Sequence, residues 1–136
     1  MREILFHGKR AKNGEWVEGD LLQIKYYNKP IIECKIMPQT PVSSAVPVLP
    51  EAIGQYTGLT DKTGVRIFEG DICRFKRFND IHVGEIVFNV TTASFVMRYQ
   101  SIVGAYGEKA TQKMLLSVCD DIEVIGNIHD NPELME

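Results

Sequence analysis

The sequence predicts an all-β protein with little helix, in which a small N-terminal β meander precedes a C-terminal SH3-like barrel or roll. Short runs of β-branched and aromatic residues recur along the chain, and turn signals at Asn13-Gly14, residues 61–64 and residues 69–71 separate them. Closely spaced runs of this kind are typical of small barrels, whereas alternating strand and helix patterns would indicate a parallel sheet.

Two hairpins make up the predicted meander. Their four β-rich runs are residues 4–6, 16–22, 22–27 and 31–36. Asn13-Gly14 joins the first two runs and is a strong hairpin signal, because both residues tolerate a positive φ. Asn28-Lys29-Pro30 joins the last two, and Pro30 fixes the turn because its ring restricts φ.

A proline-rich segment follows the hairpins. Its prolines are Pro38, Pro41, Pro47 and Pro50. Proline cannot occupy a central strand or a helix interior, so we expect an irregular crossing segment that ends the N-terminal part, residues 1–50. Residues 50–53 are interpreted as one helical turn with proline at its first position.

The second part, residues 51–136, is predicted to be an SH3-type barrel. Residues 69–71 form a tight turn that is expected to need a positive φ at Gly70. Strands are predicted at residues 65–68, 72–75, 83–90, 94–99 and 122–128. Residues 107–116 have a helical composition, although their apolar residues suit a strand equally well.

The composition of the 136 residues is that of a globular protein, with 44% hydrophobic and 24% charged residues. The longest apolar runs are far too short to span a bilayer, and the first residues lack the apolar region and cleavage site of a secretory signal. We therefore expect a cytoplasmic protein without a membrane partner. The formal net charge of −3 provides no overall positive field, so binding of nucleic acid would require a local basic patch.

No catalytic, cofactor or metal site is predicted. The cysteines and histidines lack the short ligand spacing of a structural zinc site; they are Cys34, Cys73, Cys119, His7, His82 and His129. Six acids lie in or beside turns, where carboxylates usually accept hydrogen bonds from nearby amides; these turn acids are Asp61, Glu69, Asp71, Asp120, Asp121 and Asp130. Residues 104–111 are similar to a phosphate-binding loop but lack its adjacent Gly-Lys-Thr.

Three blocks of the sequence resemble the YopX family of phage and prophage proteins. They are ILFHGKR with GEWVEG in residues 4–19, GQYTGLTDKTG with IFEGDI in residues 54–72, and EVIGNIHDNPEL in residues 123–134. The resemblance spans the chain, although residues 26–50 and 80–116 depart from the family's pattern. It implies an all-β protein of phage or prophage origin, with an SH3-like C-terminal module and no established biochemical activity.

The most distinctive candidate binding feature is a basic and aromatic cluster at the end of a predicted barrel strand. Its candidate nucleic-acid-binding residues are Arg74, Lys76, Arg77 and Phe78. Cations that alternate with aromatic rings are found in some nucleic-acid platforms. In a strand, however, Arg77 would share one face with Phe75, and the other three would share the opposite face. A solvated hairpin end is therefore favoured over a nucleic-acid site.

These observations favour a non-enzymatic phage or prophage accessory protein that acts through protein association, including association with itself. Exposed strand edges of small β proteins offer pairing surfaces, and Trp16, Tyr26 and Tyr27 belong to residue types enriched at interfaces. The alternative is a nucleic-acid-binding barrel that uses the cluster at residues 74–78. A third hypothesis is a small hydrolase that uses the turn acids.

Overall fold

The fold consists almost entirely of antiparallel strands. A computed structural model describes residues 1–30, 32–40 and 44–135, and in this part of the chain no helix is long and apolar enough to cross a membrane. The elements are β1 (Phe6–Arg10), β2 (Trp16–Lys25), β3 (Ile32–Pro38), β4 (Val46–Thr60), β5 (Arg66–Phe68), β6 (Asp71–Arg77), β7 (Asp80–Asn89), β8 (Ser94–Ile102), β9 (Lys109–Leu115), a 3-10 helix (Leu116–Val118), β10 (Asp120–Asn127) and a second 3-10 helix (Pro132–Met135). The all-β prediction is confirmed. The chain divides into two compact units between Gly58 and Leu59.

In the first unit, β1 to β4 form a closed antiparallel ring. β1 pairs with β2 and β4, β2 pairs with β3, and β3 meets β4 at Lys35↔Pro47 and Ile36↔Val46. Cys34, Ile36 and Val48 are buried together in its core. Both predicted hairpins are confirmed by these pairings, and Ile31 lies outside the described residues.

The proline-rich segment was predicted to be irregular, but its described prolines lie in strands. Pro38 ends β3, and Pro47 and Pro50 lie in β4, whereas Pro41 falls outside the described residues. The helical turn predicted at residues 50–53 is wrong, because these residues belong to β4.

A β-bulge explains how a proline enters this strand. β1 and β4 pair at Gly8↔Ile53 and next at Arg10↔Val48, which leaves Pro50 among the extra residues of β4. A bulged residue is not required to donate a ladder hydrogen bond, so the missing N–H of Pro50 breaks no pairing. The bulge therefore accounts for Pro50 only, because Pro47 and Pro38 occupy ladder positions opposite Lys35 and Gly19.

The second unit contains one antiparallel sheet with the strand order β10-β6-β7-β8-β9. The strands predicted around residues 72–75, 83–90, 94–99 and 122–128 are confirmed, and residues 109–115 take the strand alternative of the ambiguous segment. The core of this unit consists of Ile67, Cys73, Phe75, Ile86, Met97, Tyr99, Leu116 and Cys119. The buried face of the sheet therefore draws on most of its strands.

The predicted tight turn at Gly70 joins β5 to β6. Gly70 has a φ of 92°, which confirms the predicted positive φ. Its N–H donates to the Ile86 carbonyl at 2.8 Å, and its carbonyl accepts from the Ile128 N–H at 3.0 Å. The turn therefore connects strand β7 to the segment after β10, besides reversing the chain.

Candidate protein-binding groove

The structure separates the four residues of the predicted basic and aromatic cluster. On β6, Arg74 and Lys76 are exposed, whereas Phe75 is buried on the opposite face. Arg77 lies two residues after Phe75 and therefore on the same face of the strand. Phe78 is 79% exposed in the turn after the strand. Phe78 has a φ of 49°, so the simple alternation of a strand ends there. This turn brings Phe78 beside Arg77, a contact that the strand pattern alone does not predict.

The charges of Arg74 and Lys76 are offset by acids on β10. Arg74 Nη2 lies 2.8 Å from Glu123 Oε2, which Lys62 Nζ also approaches at 3.4 Å. Lys76 Nζ lies 3.6 Å from Asp121 Oδ2. The hydrogen bond from Arg74 is the main reason that the pKa of Glu123 is lowered. This face of the sheet therefore has mixed charge and no free basic patch at these two positions.

We expect the ion pair of Arg74 with Glu123 to contribute little to stability. Both side chains are partly exposed, so the attraction is screened by solvent and is offset by the side-chain entropy lost in holding the pair. A double-mutant cycle with Arg74→Gln and Glu123→Gln, measured by urea unfolding, should give a coupling energy close to the experimental error. A coupling energy well above that error would contradict the surface character of this pair.

An open groove forms where β7 and β8 separate. Their ladder runs from Asn89↔Ser94 to Gly84↔Tyr99. Beyond that point, residues 80–83 of β7 pair with β6, and residues 100–102 of β8 pair with β9. The resulting groove has a volume of about 680 Å³; its lining residues are Arg77, Phe78, Asp80, Ile81, His82, Tyr99, Gln100, Ser101, Ile102, Lys109 and Met114. Two strand edges thus form its opposite walls.

Arg77 and Lys109 give this groove its positive charge. The Arg77 guanidinium carbon lies 4.0 Å from the centre of the Phe78 ring, and its Nη1 donates to the Val118 carbonyl at 3.3 Å. Its buried Nε atom has no acceptor among the residues that the structure describes. Within the same described set, neither Arg77 nor Lys109 makes an ion pair. These two cations are therefore not neutralised as Arg74 and Lys76 are.

Aromatic rings form the base of the groove. The His82 ring lies 4.9 Å from the Tyr99 ring and 5.5 Å from the Phe75 ring, and Tyr99 meets Phe75 edge to face at 5.1 Å. Phe75 and Tyr99 belong to the core of the unit. Because core packing holds the rings, the base of the groove is firmly positioned.

Exposed apolar side chains surround the base. Ile81 is 63% exposed and Ile102 is 72% exposed, each on one wall of the groove. Together with Phe78 they form an apolar rim beside the two cations. Such a combination suits a ligand that carries both apolar and negatively charged groups.

Several groove residues were not found by sequence reasoning. Tyr99, Ile102 and Lys109 lie in residues 80–116, where the resemblance to the YopX family gave no pattern. The segment similar to a phosphate-binding loop joins β8 to β9; Val103 donates to the Glu108 carbonyl at 2.9 Å, and the Tyr106 N–H donates to the Glu108 carboxylate at 3.2 Å. These bonds fit a hairpin connection.

Two of the turn acids, Asp61 and Asp71, accept hydrogen bonds from backbone amides. Asp61 accepts hydrogen bonds from the amides of Thr63, Val65 and Val124 at 2.8 to 3.0 Å. Asp71 accepts from the Phe68 N–H at 2.8 Å. On β10, Asp121 pairs with Lys76 as described above. None of these contacts joins two turn acids into a carboxylate pair.

The cysteines are all buried free thiols. Burial raises the pKa of Cys73 far above its usual range and raises the pKa of Cys119 to about 11. At neutral pH both thiols are therefore protonated and weakly nucleophilic. Among the described residues, no group of three or more His, Cys, Asp or Glu side chains is arranged to hold a metal ion.

The aromatic residues considered as interface types lie in the first unit. Trp16 stacks on His7 with ring centres 4.5 Å apart. Tyr26 donates its hydroxyl to Glu33 at 2.9 Å, and this hydrogen bond raises the pKa of Tyr26. Tyr27 is fully exposed at the tip of the second hairpin.

One of three comparisons with known proteins, that with protein-family models, agrees with the resemblance seen in the sequence. No curated protein matches the chain. Among solved structures, the chain is similar to the crystal structure of protein EF1440 from Enterococcus faecalis, with 24% sequence identity, a TM-score of 0.47 and coverage of 100% of each chain. The family model described as YopX protein matches residues 5–136, which include every residue of the groove. The chain therefore belongs to the YopX family.

Proposed function

We propose that this chain is a non-enzymatic accessory protein of a phage or prophage that acts in the cytoplasm by binding another protein. The binding surface in this proposal is the open groove of the second unit. The observation that carries it is the combination, in the groove between two separated strands, of exposed apolar side chains with two cations that form no ion pair with any described residue. Exposed apolar residues beside unpaired charges are typical of surfaces that receive a partner.

The architecture proposed for this function has two parts. Residues 51–136 act as an SH3-type barrel that presents the groove, and residues 1–50 contribute the N-terminal hairpins. The partner is a different protein or a second copy of this chain. Sedimentation equilibrium over a range of protein concentrations distinguishes the two, because self-association raises the average mass with concentration.

Nucleic acid is the second candidate ligand. The stacking of Arg77 on the exposed Phe78 ring supports it, since single-stranded nucleic acids bind to such pairs of cation and aromatic ring. Protein is favoured because Glu123 and Asp121 offset Arg74 and Lys76, and because the chain has a formal net charge of −3. Sequence-independent binding to a phosphate backbone requires several free cations.

Site-specific photo-crosslinking tests the proposal. Phe78 is replaced by p-benzoylphenylalanine in cells that make the protein naturally, and Val90 is replaced in a matched control. The two side chains are 79% and 81% exposed, but Val90 is not part of the groove. We expect a discrete protein adduct from position 78, resistant to nuclease, and none from position 90. An adduct removed by nuclease would support the nucleic-acid candidate, and equal adducts from both positions would contradict a binding role for the groove.

A further inference from the structure

We infer that the groove receives its partner by strand insertion: an extended, acidic segment of three or four residues pairs with the facing edges of β7 and β8. This inference rests on the proposed function, because it specifies the chemistry and geometry of the partner at the same groove. It differs from binding through side chains alone, since it assigns the main contacts to backbone hydrogen bonds.

The strand edges on the two walls carry the inference. In the middle of a sheet, each strand normally bonds to a neighbour on both sides. Within the described part of the chain, residues 80–83 have a ladder partner on β6 only, and residues 100–102 have one on β9 only. Their other edges face the groove. Backbone groups on such edges are a template for another extended chain.

The length of the gap limits the size of the segment. One wall offers four residues and the other offers three. At about 3.3 Å per residue, these edges match about 10 to 13 Å of extended chain. Pairing of Gly84 with Tyr99 closes the gap at its inner end. The inserted segment is therefore short, and it enters from the open end of the sheet.

Charge and apolar character define the segment further. Arg77 and Lys109 lie at opposite sides of the groove, on β6 and β9, and Asp80 is the one acid among its described lining residues. An acidic side chain on the segment would neutralise a cation and offer an acceptor to the guanidinium group. Alternate side chains of an extended segment point to opposite faces, so apolar residues between the acids would cover Ile81 and Ile102.

Binding of synthetic peptides tests the inference directly. The probe is the capped peptide Ser-Glu-Val-Glu-Val-Ser with a fluorescent label, and its control has lysine in place of both glutamates. A second control keeps the side chains but carries N-methyl groups on two consecutive central residues, which removes one donor facing each wall. We expect each control to bind about tenfold more weakly than the acidic peptide. The N-methylated control loses two hydrogen bonds and the lysine control loses a charge pair, and either loss accounts for such a change.

Amide hydrogen exchange of the full chain locates the bound peptide. Those amides of residues 80–83 and 100–102 that point into the groove should exchange more slowly with the acidic peptide, whereas the amides of Thr111 and Lys113 on β9 should not change. Arg77→Gln should weaken binding about three- to tenfold, and Arg74→Gln, on the opposite face, should leave it unchanged. Arg74 is a suitable control because it also loses one cation.

Each outcome separates this inference from the proposed function. Equal binding of the N-methylated and parent peptides would overturn strand insertion, even where position 78 crosslinks to a protein. Absence of binding by the acidic peptide at about 1 mM, the range of very weak complexes, would overturn it as well. Tighter binding of a thymidine oligonucleotide than of the acidic peptide would overturn it in favour of nucleic acid. Failure of the proposed function is instead recognised by the absence of a position-specific protein adduct.

Discussion

Asp61→Asn is expected to lower the free energy of unfolding by about 2 to 3 kcal/mol. Oδ1 accepts from the Thr63 amide at 2.8 Å, the Thr63 hydroxyl at 2.8 Å and the Val65 amide at 3.0 Å, while Oδ2 accepts from the Val124 amide at 3.0 Å. An asparagine side chain places an amide donor where one of these oxygens stood, so a partly buried N–H loses its acceptor. The melting temperature should fall by about 10 °C.

The pH dependence of this effect follows from the carboxyl group. Burial of Asp61 by itself would raise its pKa, but the hydrogen bonds from Val124, Thr63 and Val65 outweigh burial and lower the pKa from 3.8 to about 2. A carboxyl group whose pKa is lower in the folded than in the unfolded chain stabilises the fold fully at a pH above the unfolded-state pKa. This stabilisation is lost as the pH falls through the folded-state pKa. Wild type should therefore lose about 2 kcal/mol between pH 5 and pH 2 from this group.

Asp121→Asn is the matched control for Asp61→Asn. Asp121 is exposed, and its one ion pair within the described residues is with Lys76 at 3.6 Å, so its replacement should change stability by less than about 1 kcal/mol. Urea unfolding of both variants at pH 7 and pH 3 gives the comparison. Equal stability losses in the two variants at pH 7 would contradict the structural role of Asp61.

Gly70→Val is expected to destabilise the fold by about 1 to 3 kcal/mol. The φ of 92° at this position is strained for any residue with a side chain, and a β-branched residue tolerates it least. Crowding at Cβ is not the cause, since an added Cβ would lie 3.8 Å from both His129 Nε2 and Ile128 Cγ1, an ordinary contact distance. The effect should therefore depend on backbone preference.

A substitution series separates backbone strain from crowding. Asparagine adopts positive φ more readily than valine, so Gly70→Asn should be less destabilising than Gly70→Val. Glu69→Gln, in the same turn, should be close to wild type, because it changes charge and leaves the backbone preference nearly unchanged. Thermal unfolding of the three variants in one buffer measures the order. A Gly70→Val protein as stable as wild type would disprove the assignment of this turn.

Local features of the fold were predictable because local chemistry determines them. Gly70 lies in a short Glu-Gly-Asp turn, and its positive φ follows from the residue type alone. The bonds of Asp61 to Thr63 and Val65 are likewise local turn contacts. Its bond to Val124 joins positions 63 residues apart, and no sequence pattern indicates it.

The candidate site could be predicted only in part, for the same reason. Strand alternation assigned Arg77 and Arg74 to opposite faces, but the acids that neutralise Arg74 and Lys76 lie on β10, far along the chain. The positive φ at Phe78 has no glycine to signal it. Separation of β7 from β8 is a property of three-dimensional pairing, so neither wall of the groove could be identified as a free edge from the sequence.

The most direct test of the binding proposal compares two arginines of the original cluster. Photo-crosslinking from position 78 is repeated in chains that also carry Arg77→Gln or Arg74→Gln, with unfolding curves to confirm that both variants are folded. Because Arg77 contacts Phe78 in the groove and Arg74 pairs with Glu123 on the other face, we predict that Arg77→Gln strongly reduces the protein adduct and that Arg74→Gln retains it. Loss of the adduct in Arg74→Gln with full retention in Arg77→Gln would contradict the groove as the binding surface.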